Sequence, residues 1–119
     1  MQRKFRFQDL EIWKDAVVLA HQLLDIAEHL GEKKYFRFSE QLRGASLSIS
    51  NNIAEGSGSL SKKDFSNFLN IARRSAFENA NMLIIFCERK LIADETCDKL
   101  LDSLDYLCRK ITKFQRSLS

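Results

Sequence analysis

At 119 residues, 45% hydrophobic and 29% charged, the chain has the size and balance of one folded domain, residues 1–119, with a core of its own. No apolar run approaches the roughly 20 residues that span a bilayer, and MQRKFRFQDL has no hydrophobic segment behind its basic residues, so neither a membrane helix nor a secretory signal is expected and the expected compartment is the cytoplasm. The net charge is a modest +3, and three cysteines, Cys87, Cys97 and Cys108, fit neither a disulfide framework nor a zinc site, so reduced structural thiols are expected.

Proline is absent and no stretch alternates as a strand would, so helical periodicity dominates. Over 9–30 two apolar stripes run side by side, about 100° apart. One is Leu10, Trp13, Val17, Ala20, Leu24 and Ala27; the other is Ile12, Ala16, Leu19, Leu23, Ile26 and Leu30. A surface helix of a monomer needs one such stripe, so a helix with two is expected to bury both. Gly31 follows the last apolar residue and suits a left-handed stop. Tyr35, Phe36 and Phe38 lie in the connection, free to fold back on the core.

Ser39 reads as the N-cap of a second helix, 39–56, with Leu42, Ala45, Ile49 and Ile53 inward. The stretch SISNNIAEGSGSLSKKD, 48–64, ends that helix at Gly56 and turns. Ser61 with Asp64 makes a capping-box-like start for a third helix, 61–90. Its apolar spacing is Phe65, Phe68, Leu69, Ala72, Ala76, Leu83 and Phe86. Asp94 and Glu95 suit the N-terminus of a fourth helix, 94–117. Its stripe is Cys97, Leu100, Leu104, Leu107, Ile111, Phe114 and Leu118. Four helices joined by short turns predict an all-α, antiparallel up-and-down four-helix bundle.

The glycine-rich corner invites a phosphate-binding reading, which spacing rejects. A P-loop needs a strand before its glycines and a lysine directly after them, and a dinucleotide fingerprint also needs that strand. The residues fit a packed corner better. Ala45, Ser46, Ser48 and Ser50 are small enough for helix backbones to approach closely, and Asn51 and Asn52 are expected to bond across to the turn or to a neighbouring helix. Glu55 is expected to face Lys62 or Lys63. Arg43 and Glu78 read as a buried pair between the second and third helices.

Enzyme chemistry has little to build on. His21 and His29 flank Asp25 at helical spacing, a pattern more often solvated than metal-binding. Glu55 and Glu78 lack the Glu-x-x-His motifs of bundles that hold metals. No catalytic residue, metal or cofactor is therefore expected.

QLRGASLSISNNIAEGSGSLSKKDFSNFLNIARRSAFEN and the opening FQDLEIWKDA carry a resemblance. It rests on Phe7, Asp9, Leu10 and Trp13, then Gln41, Leu42, Arg43 and Ala45, then Asn52, Ile53, Ala54, Glu55 and Gly56, and finally Ser75 and Glu78. The chain resembles, over nearly its whole length, the four-helix-bundle proteins of the 23S rRNA intervening-sequence family. The family often has proline at the place of Ser50, an arginine near Ser59 and a glycine at the place of Arg74. The resemblance implies a left-handed twist and assembly into a ring, usually a homopentamer. It also implies similarity to the accessory proteins of diversity-generating retroelements, basic pentamers that bind nucleic acid and a reverse transcriptase.

Charge supports the same direction. Residues 8–30 hold five acids and one base, whereas 61–90 hold six bases and three acids. The candidate nucleic-acid contacts are Lys62, Lys63, Arg73, Arg74, Arg89 and Lys90 with Arg109, Lys110, Lys113 and Arg116 near the end, where no acid follows Asp105. Lys62 and Arg73 fall within about 20° of each other on a helix. The expectation is RNA or DNA binding by charge and shape without sharp sequence preference. The alternative is a scaffold that meets only a protein partner.

Overall fold

Helical periodicity along the whole chain becomes four helices in the computed structural model, which describes residues 2–119. A 3₁₀ turn at Arg6–Asp9 leads into α1 (Glu11–Glu32), followed by α2 (Phe36–Ser57), α3 (Lys62–Glu88) and α4 (Asp94–Ser117). No strand occurs among the described residues. Bonds across the bundle pair residues whose numbers run in opposite directions. Ala45 meets Asn79 and Ser48 meets Ser75 between α2 and α3. Leu83 meets Cys97, Arg73 meets Cys108 and Ser66 meets Gln115 between α3 and α4. Consecutive helices are thus antiparallel, as turns of three to five residues require.

The core is one cluster fed by every helix. Leu23, Leu30, Leu42, Ile49, Ile53, Leu69, Leu83 and Ile111 are fully buried, each contributing roughly 1.5–3 kcal/mol of transfer free energy. Of the two stripes on α1, Ile12–Ala16–Leu19–Leu23–Leu30 forms the core face. The other is covered only in part: Ala20 and Ala27 are buried, while Leu10, Trp13, Val17 and Leu24 are half-buried. The stripe on α4 packs inward through Ile111, and Phe114 and Leu118 are half-covered beyond it.

Three boundary expectations are corrected. Gly31 lies inside α1, and the left-handed stop is Lys34, with φ 70°. The Tyr35 N–H reaches the Leu30 carbonyl and the Lys34 N–H that of Gly31, the paired bonds of a Schellman ending. The same ending closes α3, with Lys90 at φ 63° and bonds from Leu91 to Phe86 and from Lys90 to Cys87. Second, α2 begins three residues earlier than expected. Ser39 is not a cap: it is buried and donates its hydroxyl to the Ala27 carbonyl of α1 at 2.6 Å. Third, Gly56 does not stop α2. It sits within the last turn, where a Cβ would lie 2.7 Å from Phe68 Cβ and 2.8 Å from Phe65 Cδ1. Closeness to α3 is what requires a glycine there. Ser61 does cap α3, accepting from the Asp64 N–H at 3.0 Å.

These observations predict two opposite glycine effects. Lys34→Gly and Lys90→Gly each relieve a left-handed side chain and should stabilise the fold by about 0.5–1 kcal/mol, less than the full left-handed penalty because glycine loosens the unfolded chain. Gly56→Ala should destabilise by about 1–3 kcal/mol, since overpacking outweighs the better helix propensity of alanine. Urea unfolding of the three variants measures both signs.

Candidate nucleic-acid interface

Antiparallel packing decides which basic residues can act together. The start of α3 lies beside the end of α4: Gln115 donates to the Ser66 carbonyl at 3.0 Å, and the Phe65 and Phe114 rings are 5.5 Å apart. The N-terminal segment reaches the same place, with the Arg6 guanidinium 5.1 Å from the centre of the Phe65 ring. Lys62, Lys63, Lys113 and Arg116 therefore gather at one end of the bundle with Lys4 and Arg6. All six are exposed, and none has a carboxylate within ion-pair distance among the described residues.

Arg89 and Lys90 lie at the opposite end, beside the start of α4, where the Cys87 thiol donates to Asp94 at 3.0 Å. That end is of mixed charge: exposed Glu28, Glu32, Glu40, Glu88, Asp94, Glu95 and Asp98 share it with exposed Lys33, Lys34, Arg37 and Lys99. The ten basic residues singled out in the sequence are thus split between a basic end, an end of mixed charge and the middle of α3. There Arg74 is exposed and Arg73 half-buried. Arg73 lies over the Phe77 ring at 5.2 Å, and its buried Nε has no partner. The basic residues of the N-terminal segment were missed because they precede the expected first helix. Their proximity to α3 and α4 follows only from the closed bundle.

Two C-terminal bases are not free, although no acid follows Asp105 in the sequence. Arg109 pairs with Asp105 one turn earlier at 2.9 Å. Lys110 crosses to α1, where it donates to Glu11 at 2.7 Å and Asp15 at 2.6 Å, with the Tyr106 ring 5.1 Å from its amine. These bonds, Asp15 first and Glu11 second, raise the Lys110 amine above the usual lysine range. The bond from Lys110 lowers Glu11 below its ordinary carboxylate value. The acids that answer Lys110 are distant in sequence, so no local pattern announces them.

The remaining motif residues are structural or solvent-facing. Trp13 is half-buried against Phe7, ring centres 5.0 Å apart. Asn52 does not bond across to another helix; its amide returns to the Ser48 carbonyl at 2.7 Å. The cross-helix role belongs to Asn79, which was missed. It is fully buried and donates to the Ala45 carbonyl at 2.9 Å, while Ser75 shares a 2.8 Å hydrogen bond with Ser48. An asparagine amid the core spacing of α3 was the available signal. The expected Arg43–Glu78 pair is absent. Both are exposed, and Arg43 Nε donates instead to Ser39 Oγ at 3.4 Å. Glu55 is exposed and makes no ion pair with Lys62 or Lys63, and Gln41 is exposed.

Cys97 and Cys108 are buried and free; Cys87 is half-exposed. The hydrogen bond to the Asp94 carboxylate pushes the Cys87 thiol up to about 12, and burial raises Cys108. Both therefore stay protonated, and poor nucleophiles, near neutral pH. His21 and His29 are exposed. No group of three or more His, Cys, Asp or Glu converges on a metal position among the described residues. No helix among them is long and apolar enough to cross a membrane.

Comparison with known proteins agrees with this architecture. The model of the family described as 23S rRNA-intervening sequence protein matches residues 8–113. A crystal structure from Bacteroides thetaiotaomicron, a protein of unknown function from the S23 ribosomal protein family, is similar in fold. It has a TM-score of 0.83 and 24% identity over 87% of this chain and 97% of that one. No curated protein matches the chain.

The Lys110 bridge predicts a defined pH response. The contribution through Glu11 is present above the ordinary carboxylate range and lost as pH falls through its lowered value; that of Lys110 is present below the usual lysine range and lost only in strong alkali. Lys110→Met should lower the melting temperature by about 2–4 °C near neutral pH, a small effect because Glu11 is solvated. The gap between variant and parent should close at acid pH, as thermal melts across pH will show.

Proposed function

Since the chain belongs to the 23S rRNA-intervening sequence protein family, we propose that it is a small, non-enzymatic, self-associating bundle that binds nucleic acid through its basic end. The observation that carries this reading is the gathering of Lys4, Arg6, Lys62, Lys63, Lys113 and Arg116 from three separated segments, all exposed and without an ion pair among the described residues. Cations with no carboxylate beside them are free to neutralise phosphates, and each phosphate contact releases a counterion. The family description names 23S rRNA, which makes structured RNA the first ligand to try. Binding is driven by charge and shape: the side chains that converge are lysines and arginines, with no recognition helix laid out for a groove. The cytoplasm, where the three thiols stay reduced, is the proposed compartment.

Self-association is supported by apolar side chains left on the surface, among them Val18 at 58% and Phe77 at 59% exposed. The proposed assembly is a ring of five copies, in line with the family resemblance. Leu19 and Leu23 are core residues, so any interface uses outward residues such as Val18. A protein-only scaffold would use these apolar faces and leave the basic end idle.

Two measurements test the proposal. Native mass spectrometry should give five times 13.8 kDa; a strict monomer at tens of micromolar contradicts the ring. Fluorescence anisotropy with a structured RNA should show affinity falling steeply with salt. Lys62→Ala or Arg116→Ala should each reduce the slope of log affinity against log salt by about 0.7–0.9, and Arg89→Ala should not. Absence of binding at low salt and micromolar protein would favour the scaffold.

A further inference from the structure

The N-terminal segment holds a feature that charge alone leaves unused. Gln2, Lys4, Phe5, Phe7, Gln8 and Trp13 line an open cleft of about 700 Å³ whose walls are almost entirely apolar, within the range of ligand clefts, roughly 300–1,000 Å³. Phe5 and Phe7 stack with ring centres 5.6 Å apart and 14° between planes, and Phe7 leans on Trp13. Phe5 is 63% exposed although it is a large apolar residue.

The segment is braced as though to hold this shape. Gln8 Oε1 accepts from the N–H groups of Lys4 and Phe5 at 2.9 and 3.0 Å. Arg3 pairs with Asp9 at 2.8 Å, which offsets the charge of that acid. Arg6 is held over Phe65, at the same end as Lys62 and Lys63. In the sequence KFRF, residues 4–7, bases and aromatics alternate, and the fold sends the rings to one cleft while Lys4 stays at its rim.

Building on the nucleic-acid reading above, we propose that this aromatic cleft takes an unpaired base of a single-stranded nucleic acid, stacked on Phe5, while Lys4 and Arg6 meet the flanking phosphates. The charge argument selects the occupant: an apolar aromatic cleft framed by cations suits a polyanion that carries planar rings. Bases within a duplex have both faces covered by their neighbours and cannot enter. The cleft thus adds a preference for single strands, loops or bulges to a surface otherwise indifferent to sequence. Pre-bracing by Gln8 means little ordering is required when the base arrives.

Trp13 is the sole tryptophan of the chain and lines the cleft, so it reports occupancy directly. The full-length protein is titrated at low salt with a single-stranded RNA of about 12 nucleotides, and separately with the same strand annealed to its complement. Anisotropy reads binding and Trp13 emission reads stacking. The expected result is tighter binding of the single strand, with quenching that the duplex does not produce. Phe5→Ala should weaken single-strand binding at least about fivefold and leave duplex binding unchanged, with Phe5→Tyr restoring it. Phe5 is exposed, so neither change threatens the fold. If both forms bind equally and Phe5→Ala changes nothing, the cleft is not a base site, although the charge-driven proposal stands. If neither RNA binds, both fail. Trp13 emission that changes with protein concentration alone and no longer responds to RNA would show a second copy in the cleft and overturn the inference.

Discussion

The close approach of α2 and α3 is the constraint on which the rest of the molecule depends. Gly56 lets the last turn of α2 press onto Phe65 and Phe68, where even a methyl group would collide. Further along, the Asn79 amide reaches the Ala45 carbonyl and Ser48 bonds Ser75. Apolar packing alone tolerates sliding, because leucines and alanines at similar spacing can fill one another's places. Directional bonds between buried groups do not, since a shift would strand them unpaired in the core. Small serines and alanines along α2 keep the backbones near enough for those bonds to form.

That register fixes where charge collects. With α3 set against α2, the Cys97 contact to the Leu83 carbonyl and the Gln115 contact to Ser66 place α4 along α3. Lys62 and Lys63 then share an end with Lys113 and Arg116. The Lys110 bridge to Glu11 and Asp15 closes α4 on α1 and so carries the N-terminal segment to that same end. A net charge of only +3 thereby becomes a molecule with a basic end and an end of mixed charge. Position along antiparallel helices, and not total charge, produces the electrostatic surface.

Much of the fold was legible because it rests on local periodicity. The stripe from Cys97 to Leu118 and the acids before it gave α4 its observed limits, and the Ser61–Asp64 pair marked the start of α3. The misreadings share a physical cause: a residue's local preference gave way to a partner distant in sequence. Ser39 has the chemistry of a cap, but the Ala27 carbonyl on α1 takes its hydroxyl. Gly31 and Gly56 look like stops, yet each lies within a helix, and the left-handed position after α1 is taken by Lys34 instead. Arg43 and Glu78 had opposite charges and plausible spacing, but both face solvent. The candidate interface was legible only in part. The lysines of α3 and the bases after Asp105 were visible as charge runs, whereas their division between the two ends and the arrival of Phe5, Phe7 and Arg6 depend on tertiary closure.

The central claim is that nucleic acid meets one end of the bundle. Photocrosslinking of the full-length protein to RNA, with the attached peptides mapped by mass spectrometry, tests it most directly. Crosslinks should concentrate on residues 3–7, 62–63 and 113–116 and spare Arg89 and Lys90. Crosslinks centred on the opposite end, or scattered evenly over the helices, would contradict it.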